Sequence, residues 1–189
     1  MNKYVLATNN NNKILELRSQ LIDLDLISLE QLGHHTEIIE TGNTLEENAL
    51  IKSTFIFNHY NLPTISDDTG LEVEALNGKP GVFSARYAGE PSDSKANINK
   101  LLSELEGVSN RKARFRTVIC LKTQIEEMFF EGVVNGRITN CSLGENGFGY
   151  DSVFVAEGFD KTFAQMSLKT KNEISHRYLA VQKLVEYLQ

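Results

Sequence analysis

Two stretches in the middle of the chain, Phe115–Leu121 and Met128–Val134, are dense in β-branched and aromatic residues and are separated by a short polar gap. Such runs suit a pleated, half-buried surface and read as long neighbouring strands joined in a hairpin. Lys3–Thr8 and Leu62–Ser66 read as shorter buried strands. Elsewhere apolar residues recur at helical spacing. A helix should start at Lys13, with Ile14, Leu17 and Leu21 on one face. A second should start near Thr44, where Thr44-Leu45-Glu46-Glu47 has the form of a capping box and Leu45, Ala49, Lys52 and Ile56 follow. Ile98, Leu101, Leu102 and Leu105 suggest a third, closed by Gly107. Tyr178, Val181, Val185 and Leu188 suggest a last one from about Ser175. Strands interleaved with helices, plus an antiparallel pair, predict an α/β protein with a mixed sheet.

The length of 189 residues fits a single domain, and no internal repeat or Pro/Ser/Gly-rich linker marks a boundary within it. With 19 basic and 25 acidic residues the formal charge is -6, which argues against a broad surface that tracks a nucleic-acid backbone. Cys120 and Cys141 make neither a disulfide scaffold nor a CxxC pair, and His34, His35 and His59 show no zinc-ligand spacing with them. A reducing cytosol is the economical expectation. No stretch approaches the roughly 18 apolar residues of a membrane span, and the apolar patch in the first residues is too short for a signal peptide. The chain is expected to be soluble and cytoplasmic.

Chemistry concentrates in a few places. Thr8-Asn9-Asn10-Asn11-Asn12-Lys13 turns a strand into a helix, where free N–H groups and the helix dipole attract anions. The same run also suits an N-cap with a solvated asparagine turn. Asp67 and Asp68 are expected at a strand's C-terminal end, a usual place for active sites in open α/β sheets. Adjacent residues of an extended chain point to opposite sides, so the two acids should play different parts. Carboxylates there suit Mg²⁺, with Glu40 as a second acid, although an Asx-turn and a solvated glutamate would look the same. Lys52, Lys171, His176 and Arg177 supply donors that call for an anionic or acceptor-rich partner; a solvated lysine face and a satisfied buried imidazole are the plainer alternatives. Gly147-Phe148-Gly149-Tyr150-Asp151 combines close backbone approach, a ring for stacking and an acceptor, or else forms a turn whose aromatics fill the core.

Taken together these segments resemble the inosine triphosphate pyrophosphatase, or Ham1-like, family. The resemblance runs nearly end to end, through LATNNNNKILEL at Leu6–Leu17, ETGNTLEENALIKS at Glu40–Ser53 and ISDDTGLEVEALNGKPGVFSARYAG at Ile65–Gly89. It continues in GFGYDSVF at Gly147–Phe154 and KNEISHRYLA at Lys171–Ala180. Asn9 stands where many members have Gly, Thr69 where Ser is common, and Ser152 where Pro is frequent; no charged site residue is lost.

The resemblance implies an elongated α/β fold of two lobes around a mixed central sheet, with a nucleotide cleft between the lobes and no separable linker in residues 1–189. It implies hydrolysis of inosine, deoxyinosine or xanthosine triphosphate to the monophosphate and pyrophosphate, cleansing the nucleotide pool, by a Mg²⁺-dependent homodimer. Thr8, Asn9, Asn10, Asn11, Asn12, Lys13 and Lys52 would hold the triphosphate, with Thr69 at the site. Glu40 and Asp68 would position Mg²⁺, and Asp68 would orient or deprotonate the attacking water. Phe148 would stack on the base, with Gly149, Tyr150, Asp151, Lys171, His176 and Arg177 around it. The competing expectations are a Maf-like pyrophosphatase acting on other bases and a non-catalytic nucleotide sensor. The Ser175-His176-Arg177 and Gly147–Asp151 blocks favour the purine reading over the first. Retention of Glu40, Asp68, Lys13 and Lys52 favours an enzyme over the second.

Overall fold

The computed structural model describes residues 3–189. Seven strands are hydrogen-bonded in the order β2-β1-β3-β5-β6-β7, with β4 paired to β3. They are β1 (Lys3–Leu6), β2 (Asp25–Ser28), β3 (Thr64–Val73), β4 (Pro80–Gly81), β5 (Lys112–Lys122), β6 (Glu127–Ile138) and β7 (Phe154–Ala156). The helices are α1 (Asn11–Gln20), α2 (Leu45–Tyr60), α3 (Ser94–Glu104), α4 (Leu168–Ile174) and α5 (His176–Leu188). β1 runs parallel to β2 and β3, whereas β4 pairs β3, and β7 pairs β6, in the antiparallel sense. The predicted mixed α/β sheet is therefore present. The hairpin is present too, closed at a tight turn in which the Thr123 N–H donates to the Glu126 carbonyl.

The chain forms two compact units, one of residues up to 68 with 117–132 and 177–189, the other of 69–116 and 133–176. It passes from one to the other inside β3, β5 and β6 and after the first residue of α5. In the first unit the pleat of β1 sorts side chains to two faces. Leu6 joins Leu17 of α1, Leu21 just past its end, and Ala180, Val181 and Leu184 of α5, while Val5, with Ala7 just past the strand, packs with Ile56 of α2. Helices thus cover both faces, and this explains why the strand reads as an unbroken apolar run. In the second unit the helical spacing expected around α3 is realised by Ile98, Leu101 and Leu105, which pack with Phe115, Phe154 and Phe163. Among the described residues no helix is long and apolar enough to cross a membrane.

Three boundaries differ from expectation for identifiable reasons. β3 does not stop at Ser66 but continues through Asp67-Asp68-Thr69-Gly70 to Val73. The acids therefore lie inside a strand and not at its end. A Cβ at Gly70 would sit 2.7 Å from the Gly81 carbonyl oxygen; glycine is needed because β4 approaches so closely. α1 begins at Asn11, two residues early, because Asn10 is its cap. α4, seven residues long, is too short to show a period.

Gly136 makes the same kind of close approach between β6 and β7, where a Cβ would lie 2.2 Å from the Val155 oxygen and 2.6 Å from the Phe154 ring. Gly136→Ala is expected to cost about 1–3 kcal/mol by overpacking. A lower urea midpoint at unchanged slope checks this; an unchanged midpoint would mean that β7 shifts freely.

Candidate active site

Asparagine-rich chain leaves β1 and is caught at once by local hydrogen bonds. The Asn10 side-chain oxygen accepts from the N–H groups of Asn12 (3.0 Å) and Lys13 (3.3 Å), and Thr8 Oγ1 accepts from the Asn10 N–H (3.2 Å). Asn9 to Asn12 are exposed and Lys13 is half-buried. The end of α1 is thus a capped turn whose amide donors point into one small region, the arrangement an anion would use by displacing the Asn10 oxygen.

Lys13 leads directly to the acids. Its Nζ lies 3.0 Å from Asp67 Oδ2, and the same oxygen receives Arg177 Nη2 at 3.2 Å and Nε at 3.3 Å. Arg177 Nη1 also donates to Glu16 Oε2. Asp67 is 0% exposed, Arg177 1% and Glu16 3%, so this is an interior ion network tying β3 to α1 and α5. Burial alone would raise the Asp67 pKa, but Lys13, Arg177 and Lys52 overrule it and hold the carboxyl well below the usual carboxylate range. Lys13 is pushed down from the ordinary lysine value, chiefly by burial, although Asp67 opposes the shift.

Asp68 points the other way. Its Oδ2 accepts from Asn48 Nδ2 at 3.1 Å, and its Oδ1 lies 3.7 Å from Lys52 Nζ. Lys52 also reaches Glu40 Oε1 at 2.7 Å. Asn48 and Lys52 share a face of α2 because they are four residues apart. α2 is held in place by its Thr44 cap (3.1 Å from the Glu47 N–H) and by Ser66 Oγ of β3, which donates to the Ala49 carbonyl at 2.6 Å. Burial raises the Asp68 pKa above its ordinary value; Lys52 and Lys13 pull it back, Glu40 pushes it further up, and the net shift is upward. For Lys52 burial pulls downward but Asp68, Glu40 and Asp67 outweigh it, so the ammonium is held above its usual value. Two neighbouring aspartates are thereby driven in opposite directions, one a fixed anion and the other a carboxylate with a raised proton affinity.

The second unit holds the other group of expected residues. Gly147 has φ +74°, and a Cβ there would meet the Asp151 carboxylate at 2.2 Å. Asp151 Oδ2 accepts from the Phe148 N–H at 2.8 Å and from Lys171 Nζ at 2.7 Å. Lys171 Nζ stands 4.7 Å from the centre of the Phe148 ring, a cation–π distance, and Phe148 itself is half-buried. Gly149 opens the short 3-10 turn that carries Tyr150 and Asp151.

Several expected residues stand elsewhere or serve otherwise. Arg177 belongs to the first unit, where its guanidinium donates to Glu16 and Asp67. Tyr150 is 5% exposed, packs in the core and donates to the Ser84 carbonyl at 2.9 Å. His176 is buried, its ring stacked 4.5 Å from that of Phe115. Thr69 is half-buried in β3 at the first position of the second unit. Sequence reasoning missed Glu16 and Asn48. Their signals were an acid three residues from Lys13 within α1, and an amide one turn before Lys52.

Comparison with known proteins shows which family the chain is similar to. A sequence profile of the Ham1 family matches residues 4–187. The dITP/XTP pyrophosphatase of Flavobacterium psychrophilum is 48% identical over 184 residues, covering 97% of both chains. That of Porphyromonas gingivalis is 49% identical over 190 residues, covering 100% of this chain and 98% of the relative. The solved structure of the Staphylococcus aureus Ham1 protein superposes with a TM-score of 0.91 at 43% identity, covering 98% of this chain and 97% of that one. A HAM1 protein from Coxiella burnetii gives the same TM-score of 0.91 at 38% identity, covering 100% and 98%.

The opposed environments of the two acids predict opposite effects on stability. Asp67→Asn leaves Lys13 and Arg177 under-compensated in the interior and is expected to cost about 3–5 kcal/mol. Because the native Asp67 pKa is depressed, its contribution is fully present above the unfolded value of about 3.9 and lost as pH falls below it. The melting-temperature gap between wild type and Asp67→Asn should therefore be constant from about pH 7 to 5 and shrink below about pH 4. Asp68→Asn should melt at or above the wild-type temperature, since it removes a buried charge that its surroundings disfavour.

Proposed function

The chain belongs to the Ham1 family, and on that footing we propose that it hydrolyses deaminated purine nucleoside triphosphates, those of inosine, deoxyinosine and xanthosine, to the monophosphate and pyrophosphate. The observation that carries the reading is the divergent pair of aspartates on β3: one acid locked in an ion network, the other of raised proton affinity beside Lys52 and Glu40. Hydrolysis of a phosphoanhydride needs water attacking phosphorus, charge neutralisation and a leaving pyrophosphate, and positioning with electrostatics does most of that work. Both are offered by the first unit.

In this reading the triphosphate lies against Thr8, the Asn9–Asn12 turn, Lys13 and Lys52. Lys13 is suited to the task because burial already disfavours its charge, so a phosphate oxygen adds compensation that Asp67 alone does not complete. Asp68 accepts a proton from the attacking water and aims it, with Asn48 and Lys52 holding the carboxylate. The bond between the α- and β-phosphates breaks as water adds to the α-phosphorus, and pyrophosphate leaves with the anhydride electron pair.

Mg²⁺ fits the residues present. Two carboxylates, Glu40 and Asp68, converge on one ammonium, and Mg²⁺ is commonly held by one or two acids plus substrate phosphates instead of an all-protein cage. When bound it would supply Lewis-acid neutralisation of phosphate charge. Phe148 stacks on the base while the Asp151–Lys171 pair offers an acceptor and a donor to its edge. A donor at the 6-position favours the 6-oxo group of hypoxanthine and xanthine over the amino group of adenine. Cys120 and Cys141 are both thiols, which supports the cytosolic setting, and the homodimer implied by the family resemblance is part of the same reading.

Pyrophosphate release from a panel of nucleoside triphosphates, with and without Mg²⁺, tests the proposal. Inosine triphosphate should exceed ATP in kcat/KM by about 10²-fold or more, because an unmatched base leaves polar groups unpaired. Equal efficiency on the two would contradict the purine reading, turnover confined to pyrimidines would favour a Maf-like activity, and no release at all would favour a sensor. Phe148→Ala should weaken nucleotide binding by about 1–3 kcal/mol with the fold intact. Asp68→Asn should slow kcat by about 10²–10⁴-fold with a smaller effect on nucleotide affinity.

A further inference from the structure

Asn48 is 0% exposed, lies in the interior of α2 and is used at both ends of its side-chain amide. Its Oδ1 accepts from the Gly42 N–H at 2.8 Å, and its Nδ2 donates to Asp68 Oδ2 at 3.1 Å. A buried asparagine in a helix interior is costly unless both halves are satisfied, and here both are. The two partners belong to different elements of the first unit: Gly42 to the segment that carries Glu40 into α2, Asp68 to β3.

The segment is shaped around this amide. A Cβ at Gly42 would lie 2.7 Å from Asn48 Oδ1, 2.9 Å from the Asn48 backbone nitrogen and 2.6 Å from Glu47 Cβ, so only glycine brings the chain this close. Two residues earlier Glu40 meets Lys52, and Lys52 also faces Asp68 Oδ1. The amide of Asn48 and the ammonium of Lys52 therefore grip the two oxygens of one carboxylate. A carboxylate held on both oxygens has a more narrowly fixed plane than one that has lost either contact.

We propose that Asn48 is a positioning residue for the hydrolytic reaction, a clip whose amide joins the Glu40–Gly42 segment to Asp68 and fixes the orientation of the Asp68 carboxylate. The inference rests on the reading of Asp68 as the acid that acts on water. It does not require Asn48 to touch the nucleotide.

Asn48→Asp separates the two halves of the clip, because it keeps an acceptor for the Gly42 N–H while replacing the donor to Asp68 with an oxygen. With inosine triphosphate and Mg²⁺, kcat should fall about 10²-fold, the scale of a small misplacement of a reacting group, while KM stays within about threefold of wild type. The concentration of folded sites is set by titration with a non-hydrolysable inosine triphosphate analogue, so lost protein does not pass for lost turnover. Asn48→Ala, which drops both contacts and adds no charge, should show the same split between kcat and KM. In the double variant Asn48→Asp/Asp68→Asn, kcat should match Asp68→Asn alone within about threefold, because Asn48 acts only through Asp68. A kcat within threefold of wild type in either single variant overturns the proposal. So does a loss that appears in KM, or one that multiplies with that of Asp68→Asn, since either marks a generally structural residue. A wild-type protein that turns over no nucleotide defeats the activity reading itself, and an active wild type with additive variants defeats only the role of Asn48.

Discussion

The first unit is organised around an anion that water never reaches. Asp67 has no exposed surface, yet it stays charged because Lys13 and Arg177 both converge on one of its oxygens. Arg177 is 110 residues away in sequence from Asp67 and 161 from Glu16, so the network ties β3, α1 and α5 across almost the whole chain. Three buried ionic groups are tolerable together and ruinous apart, which makes the geometry all-or-none. The placement of Lys13, and with it the start of α1 and the asparagine turn before it, follows from this arrangement.

From that anchor the chemistry of the neighbouring residue follows. Successive side chains of an extended strand point to opposite faces, so fixing Asp67 toward α1 and α5 turns Asp68 toward α2. There it meets the Asn48 amide and the Lys52 ammonium, and Glu40 adds a like charge beside it. The strand thus makes one acid structural and leaves its neighbour with a raised proton affinity. Burial on its own would raise both pKa values; the cations decide which acid escapes.

Much of this was legible in the sequence, but unevenly. The Thr44 cap, the central hairpin and the split between adjacent acids all follow from periodicity and local rules, and the structure shows each of them, except that the reciprocal half of the expected capping box is displaced by one residue: the Glu47 carboxylate accepts from the Asn43 N–H and not from that of Thr44. The length of β3 was hidden because Asp-Asp-Thr-Gly looks like a turn, and the need for Gly70 arises from β4, a contact no local pattern records. In a run of four asparagines any one of them suits a cap, so the start of α1 could not be read from residue type. Lys171, His176 and Arg177 sit in one motif, and their closeness in sequence groups them. The chain passes from one unit to the other after His176, which sends Arg177 to Asp67 while Lys171 stays with Asp151. Asn48 carries no charge and invites no attention in a sequence; only its two partners reveal what it does.

The central claim is that the two aspartate carboxyl groups of β3, Asp67 and Asp68, differ in proton affinity while both are in the folded protein. Carbon-detected magnetic resonance titration of the labelled aspartate side chains reads each group separately. Between about pH 7 and 4, Asp68 should shift through a midpoint above the ordinary carboxylate value of about 3.9, and Asp67 should not move. Two groups titrating together near 4, or Asp67 moving first, would contradict the division of roles on which the account stands.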